Sequence, residues 1–198
     1  MKINEITIDQ SRHLIKNYWG HPKKVADWLT MNNFVELGRG DYSIAYSKPG
    51  SNIVIKISKF EEDKAWLAFV NYTKSHPSQY FPKISRLVKY RDAINDKKIY
   101  FIAFMEKLEP IVDSTSSLAL KVIDFLENQD DDFSFDDIDE YPESKQILLS
   151  AEERWPGFVH TTHNVFEDVP SFCYVDLHAN NIMMRGNTPV IIDPWALR

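Results

Sequence analysis

Asp176, Asn181 and Asp193 are the residues whose types and spacing could do chemistry. Asn181 follows Asp176 by five positions, and Asp193 closes the apolar run Val190-Ile-Ile192. Ile182-Met-Met184 reads as one short strand and Val190-Ile-Ile192 as a second. Arg185-Gly-Asn-Thr-Pro189 between them is turn chemistry, so the spacing predicts a hairpin. Such a hairpin brings Asn181 and Asp193 to the same end. An amide oxygen and a carboxylate there are hard ligands for a hydrated Mg²⁺. Asp176 would stand beside them, free to hold an incoming hydroxyl.

The elements that must position these residues lie upstream. Phe34-Val-Glu-Leu37 predicts a strand that runs into Gly38-Arg-Gly40-Asp-Tyr-Ser43-Ile-Ala45-Tyr46. Two glycines two apart, with small residues after them, let a hairpin backbone come close to phosphate oxygens. The next strand, Asn52-Ile-Val-Ile-Lys56-Ile57, carries Lys56 on the same face as Val54. A lysine inside an apolar strand costs free energy unless it is paired or used. A helix is predicted after Asp63, with Ala65, Trp66, Phe69 and Val70 on its apolar side. Phe81 to Tyr90 reads as strand. Ile99 to Met105 reads as a long central strand ending in Glu106-Lys-Leu108-Glu-Pro110.

The rest of the chain reads mainly as helix. Residues 1–32 predict two helices, one capped by Asp9 and ended by Gly20, the second started by Pro22 with Val25, Trp28 and Leu29 on one face. Ser114 to Asn128, the stretch after Pro142, and the stretch after Pro156-Gly157 are predicted helices. His160 and His163 on the last of these lack an evident third metal ligand and read as ordinary histidines.

Composition sets bounds. The 198 residues fit one domain or two small lobes, and no run is long and apolar enough for a membrane span. The polar start MKINEITIDQ is not a signal sequence, and the single Cys173 fits a reducing cytoplasm. A net charge of −6 argues against a nucleic-acid surface. Eight acids and no base lie between Asp130 and Glu143, so the remainder is net +2, and this solvated acidic run could favour a basic partner.

The order of these pieces resembles the protein-kinase superfamily, most closely the small early serine/threonine kinases of bacteriophages. The residues that carry the resemblance are Gly38 to Ser47, Val54-Ile-Lys56, Asp176-Leu-His178-Ala-Asn-Asn181-Ile-Met183 and Asp193-Pro194. It implies an α+β, bilobal kinase-like fold across residues 1–198: a helical extension at 1–32, an antiparallel-sheet upper lobe at 33–105 and a reduced helical lower lobe at 106–198. It implies ATP and Mg²⁺ as cofactors. Asp176, Lys56 and His178 become the catalytic set, and Asn181 and Asp193 the metal ligands. Gly38, Gly40, Ser43, Ala45, Val54 and Lys56 line the nucleotide. So do Met105 as gatekeeper, and Glu106 and Leu108 as the adenine-binding hinge. Lys56 is expected to pair with Glu61, Glu62 or Asp63, of which Glu62 is the choice. Protein hydroxyls of a host cell are the implied acceptors.

Three departures separate the chain from that family. Tyr174 and Val175 stand where a histidine and an arginine usually precede the catalytic Asp. Pro194 follows the metal Asp in place of glycine. His178 matches antibiotic phosphotransferases rather than protein kinases. Two alternatives therefore stand beside the main reading: a small-molecule phosphotransferase of the aminoglycoside or choline type, and a pseudokinase that binds a partner without catalysis.

Overall fold

Residues 22–40, 42–58, 63–91, 99–111, 114–128 and 141–198 are described by a computed structural model of the chain. The described residues form two compact units, within Met1–Lys64 plus Lys83–Lys107, and within Ala65–Pro82 plus Leu108–Arg198. The first is a sheet unit and the second a mainly helical unit.

The sheet unit opens with α1 (Pro22–Met31), whose Val25 and Leu29 are fully buried four apart on one face. Asn33 ends it in the left-handed region at φ 64. Its N–H donates to Thr30 O, and the Phe34 N–H donates back to Leu29 O. This is the closing pattern that satisfies a helix's last carbonyls, and Asn tolerates the conformation better than most residues. The chain then builds β1 (Val35–Arg39), β2 (Ser43–Ser47) and β3 (Ile53–Ser58). Beyond α2 (Lys64–Ser75) come β4 (Ile84–Arg91) and β5 (Ile99–Glu106). The five strands pair antiparallel in the order β1-β2-β3-β5-β4.

Side chains alternate across each strand. Ile53, Ile55 and Ile57 therefore join Tyr46, Tyr100, Ile102 and Phe104 against Val25, Leu29 and Phe34 in one apolar cluster. Val54, Lys56 and Ser58 fall on the opposite face. Burying α1 on one face thus fixes which face carries the lysine.

The helical unit continues with β6 (Glu109–Pro110), α3 (Ser114–Glu127), α4 (Pro142–Arg154) and α5 (Phe158–Glu167). It ends in β7 (Cys173–Val175), a 3-10 turn at Ala179–Asn181, β8 (Ile182–Arg185), β9 (Thr188–Ile191) and β10 (Trp195–Leu197). Its core takes Phe69 and Tyr72 from α2, Val122 and Leu126 from α3, Leu148 and Ala151 from α4, and Phe158 and Val165 from α5. Phe69 is wholly buried, with its ring 5.5 Å from Phe81 and 5.8 Å from Trp195, both edge-on. The Trp195 indole N–H is satisfied by Val165 O at 3.0 Å. Phe69→Ala should remove about 3–5 kcal/mol of unfolding free energy, read by urea denaturation, because it leaves a cavity and strips two ring contacts.

The expected α+β class holds: an antiparallel five-stranded sheet in one unit, helices in the other. The division differs from the expected break after residue 105. Helix α2 belongs with the helical unit, because its apolar face finds its aromatic partners at Phe81 and Trp195. The helix expected before Gly20, and the acidic run, lie outside the described residues.

Candidate active site

Two short sheets in the helical unit set the geometry around Asp176. β7 and β10 pair antiparallel, with Val175 opposite Trp195. One step beyond, the Asp176 N–H donates to Pro194 O at 2.7 Å. β8 and β9 form the expected hairpin, with Ile182 opposite Ile191 and Gly186 at φ 59 in its turn. One step beyond that pair, the Ile192 N–H donates to Asn181 O at 2.9 Å. Asp193 therefore sits on the link from β9 to β10, and Asp176 on the link from β7 to the 3-10 turn. The two links are stitched together by backbone hydrogen bonds. That brings Asp176, Asn181 and Asp193 to one end, as the spacing predicts.

The loop between Asp176 and Asn181 is held by its own side chains. The Asn180 N–H donates to His178 Nδ1 at 3.2 Å, so His178 caps the turn. Its Nε2 lies 3.3 Å from Asn181 Nδ2 and 3.9 Å from Asp176 Oδ2. Asn181 Nδ2 donates to Asp176 O at 2.6 Å. This commits the amide nitrogen to the loop and leaves Oδ1 as the accepting atom. Asp176, Asn181 and Asp193 are all partly exposed.

That donor set fits Mg²⁺. The cation takes hard oxygen ligands, keeps several waters and needs only one or two protein groups beside phosphate. Asn181 Oδ1 and the Asp193 carboxylate would be such a pair. Among the described residues, no three His, Cys, Asp or Glu side chains cluster around one metal position. His160 instead contacts Asn164 Nδ2 at 3.2 Å, and His163 lies 3.7 Å from Glu167, both on α5.

In the sheet unit, Gly38, Ala45, Lys56 and Ala103 form one row across β1, β2, β3 and β5. The lysine thus has small residues on both sides. Val54 lies in the next row of that face, between Ser47 and Met105. Lys56 Nζ is 3.7 Å from Asp63 Oδ2, and the two side chains are only 13% and 8% exposed. Among the described residues, a carboxylate beside Lys56 is that of Asp63, directly before α2; the expected partner Glu62 lies outside the described residues. Ser43 opens β2, and its carbonyl accepts the Gly40 N–H at 3.0 Å to close the hairpin.

Neither Gly38 nor Gly40 is demanded by the fold. Neither has a positive φ, and a Cβ added at either would meet nothing within 4 Å. Two side-chain-free backbone positions facing open space leave room for a bulky polar ligand to approach.

No family model matches the chain. No curated protein matches it either. Among solved structures, it is similar to a thermostable mutant of aminoglycoside phosphotransferase APH(4)-Ia in ternary complex with AMP-PNP and hygromycin B. That likeness has 11% identity over 86% of this chain and 70% of that chain, at a TM-score of 0.42. The apo form of a thermostable mutant of the same enzyme aligns at 12% identity over 81% and 66%, with a TM-score of 0.38. A ternary complex with ADP and hygromycin B aligns at 10% identity over 86% and 72%, with a TM-score of 0.39.

The expected hinge residues divide between the units. Met105 is buried in β5 opposite Val54. Glu106 donates its N–H to Lys83 O and accepts the Lys83 N–H on its carboxylate, at 3.0 and 2.7 Å. Leu108 is buried and opens the helical unit just before β6, which pairs with β8. Sequence reasoning missed β6, β7 and β10. Each is two or three residues long, too short for alternation to show. The Asp176–Pro194 bond that ties the site together comes from one of those short pairings. Cys173 is fully buried, and burial pushes its thiol above its ordinary pKa, in keeping with a packing role.

Proposed function

We propose that this chain transfers the terminal phosphoryl group of ATP, with Mg²⁺, to serine or threonine hydroxyls of proteins. The observation that carries the reading is the Asn181 amide. Its nitrogen is locked onto Asp176 O, so its oxygen is offered at the same hairpin end as Asp193. A polar hairpin with incidental acids gives no reason for that orientation.

The chain's residues would divide the work. Lys56, in its row of small residues, holds phosphate oxygens as a point charge, and Asp63 keeps its ammonium in place. The backbone of Gly38 to Ser43 covers the phosphates. Asn181 Oδ1 and Asp193 hold Mg²⁺, which when bound neutralises charge on the β- and γ-phosphate oxygens. Asp176 orients the acceptor hydroxyl. As its oxygen bonds to the γ-phosphorus and the bond to the bridging oxygen of ADP breaks, the hydroxyl proton passes to Asp176. His178 Nε2 lies 3.9 Å from that carboxylate and would approach the transferring group. Chemistry of this type is mostly positioning and charge stabilisation. The loop resemblance to early phage kinases supports host proteins as acceptors and the cytoplasm as the place of action. Among the described residues no helix is long and apolar enough to cross a membrane.

A second reading, phosphorylation of a small amine-bearing alcohol, is favoured by one observation. His178 occupies the position two after Asp176 and caps the turn that presents Asn181. Labelled ATP offered with a cell lysate, in parallel with a panel of amino alcohols, tests both. Label in protein supports the main reading, label only in alcohols supports the second, and label in neither rejects both. Melting temperature with ATP should rise by a few degrees when Mg²⁺ is present and by clearly less without it. No rise under either condition would leave a partner-binding role without catalysis.

A further inference from the structure

We propose that a cavity between α1 and the sheet face it packs on binds a small flat carboxylate, its ring on the aliphatic floor and its acid on the Tyr46 hydroxyl. The cavity measures about 480 Å³ and lies wholly within the sheet unit. Val25 and Leu29 seat α1 on the sheet, while Ala26 beside them is too small to cover what lies below it. The floor is one row of that face, Ile44 on β2 and Ile57 on β3, with Arg39 of β1 at the end of the row. Tyr46 stands in the next row, and Tyr100 on β5 completes the wall.

Tyr46 carries the inference. It is 5% exposed, and among the described residues its hydroxyl has no hydrogen-bond partner. The Ser58 hydroxyl in the same wall is satisfied twice, by the Phe101 N–H at 2.6 Å and the Phe101 carbonyl at 3.4 Å. A buried polar group without a partner is costly, and an acceptor placed in the cavity would remove that cost. Burial pushes the phenol above its ordinary pKa, Glu36 adds to this, Arg39 opposes it and Asp27 adds again, so at neutral pH the group is a donor.

The charged groups on the cavity are donors as well. Lys23 is exposed at the rim. Arg39 uses Nε and Nη2 on Glu36, at 2.9 and 2.7 Å, which leaves Nη1. Among the described residues, no acid lines the cavity. Its occupant must therefore accept hydrogen bonds and carry an apolar body. Glu36 and Asp27 stand close enough to act on Tyr46 and offset the two cations, so one negative charge fits better than the two of a phosphate. The volume falls in the usual range for small-ligand sites, about 300–1,000 Å³, and suits a body of one or two fused rings. Ile44 and Ile57 alternate with Ala45 and Lys56 on the same strands. The cavity is thus on the face opposite the lysine and does not depend on the phosphotransferase reading.

The test uses the full chain and three probes of one shape: naphthoate, its neutral amide and naphthyl phosphate. Calorimetry should show saturable binding of naphthoate, with the amide weaker by about tenfold, the scale of one hydrogen bond to a charged group. The phosphate should bind no more tightly than naphthoate. Tyr46→Phe keeps the ring and should weaken naphthoate by about tenfold. Ala26→Leu fills the space below α1 and should abolish binding. If either fails to fold by circular dichroism, Lys23→Ala at its exposed position should still weaken naphthoate by about threefold. Naphthoate should bind equally well with ATP and Mg²⁺ already present. No saturable binding, equal affinity for the amide, tighter binding of the phosphate, or displacement by ATP would each overturn the proposal. So would any of the three variants that folds and binds naphthoate as tightly as the unsubstituted chain.

Discussion

Asp193→Ala should lower phosphoryl transfer by about a thousandfold or more, the scale on which losing one transition-state charge stabiliser is felt. The argument runs through the β9–β10 link. The backbone there is fixed by the Ile191 N–H on Tyr80 O and by Asp176 on Pro194 O, both independent of the Asp193 side chain. Asp193 is partly exposed rather than core. Its truncation should therefore move the melting temperature by only a few degrees, as expected for about 1 kcal/mol in a chain of this size. Raising Mg²⁺ should not restore the rate, because the lost carboxylate would supply the charge in the proposed ligand pair. Asn181→Ala should behave differently. It would remove the proposed neutral ligand and the hydrogen bond to the Asp176 carbonyl, so a loss of about ten- to a hundredfold, partly recovered at high Mg²⁺, is expected. Steady-state rates over a Mg²⁺ titration compare the two. An Asp193→Ala enzyme that labels substrate at the unsubstituted rate would remove the metal role from this residue.

The hairpin that carries Asn181 and Asp193 was legible because two apolar triplets flank a turn-rich stretch, and register then follows from counting residues. Lys56 was legible because a charge in an alternating apolar strand is conspicuous. The antiparallel sheet and the helices at 22–31, 64–75, 114–127, 142–154 and 158–167 followed from period and from Pro and Gly punctuation. Three things were not legible. Membership of α2 in the helical unit depends on Phe69 meeting Phe81 and Trp195, partners 12 and 126 positions away, and local pattern carries nothing about such distant contacts. The β7–β10 pair is too short to announce itself, yet it seats Asp176 against Pro194. That Asp63 comes close to Lys56 was not legible: Glu62, outside the described residues, was the choice by analogy with helix glutamates, and the strand's end and the helix's start bring Asp63, a residue that also reads as a helix cap, within 3.7 Å of the lysine. A side chain with two plausible local jobs cannot be assigned from sequence order alone.

Lys56→Ala is expected to cost both activity and stability, and the two losses can be separated. The lysine and Asp63 side chains are nearly buried and 3.7 Å apart. Removing one member of such a pair upsets the charge balance around the other, at a cost of about 3–5 kcal/mol. Inactivity of Lys56→Ala alone would therefore be ambiguous between a missing phosphate contact and a loosened sheet unit. The double variant Lys56→Ala, Asp63→Ala removes both charges and should recover most of the lost unfolding free energy, since a buried pair contributes little net stability over neutral packing. Phosphoryl transfer should stay down by about a hundredfold or more in the double variant, because nothing else on that row of small residues can meet a phosphate. Asp63→Asn should fall between: the ammonium remains but is less firmly placed, so the loss should appear mainly in kcat rather than in KM for ATP. Urea denaturation of the four proteins gives the coupling, and initial rates give the chemistry. A double variant that is both stable and fully active would show that Lys56 is a structural charge of the sheet and nothing more.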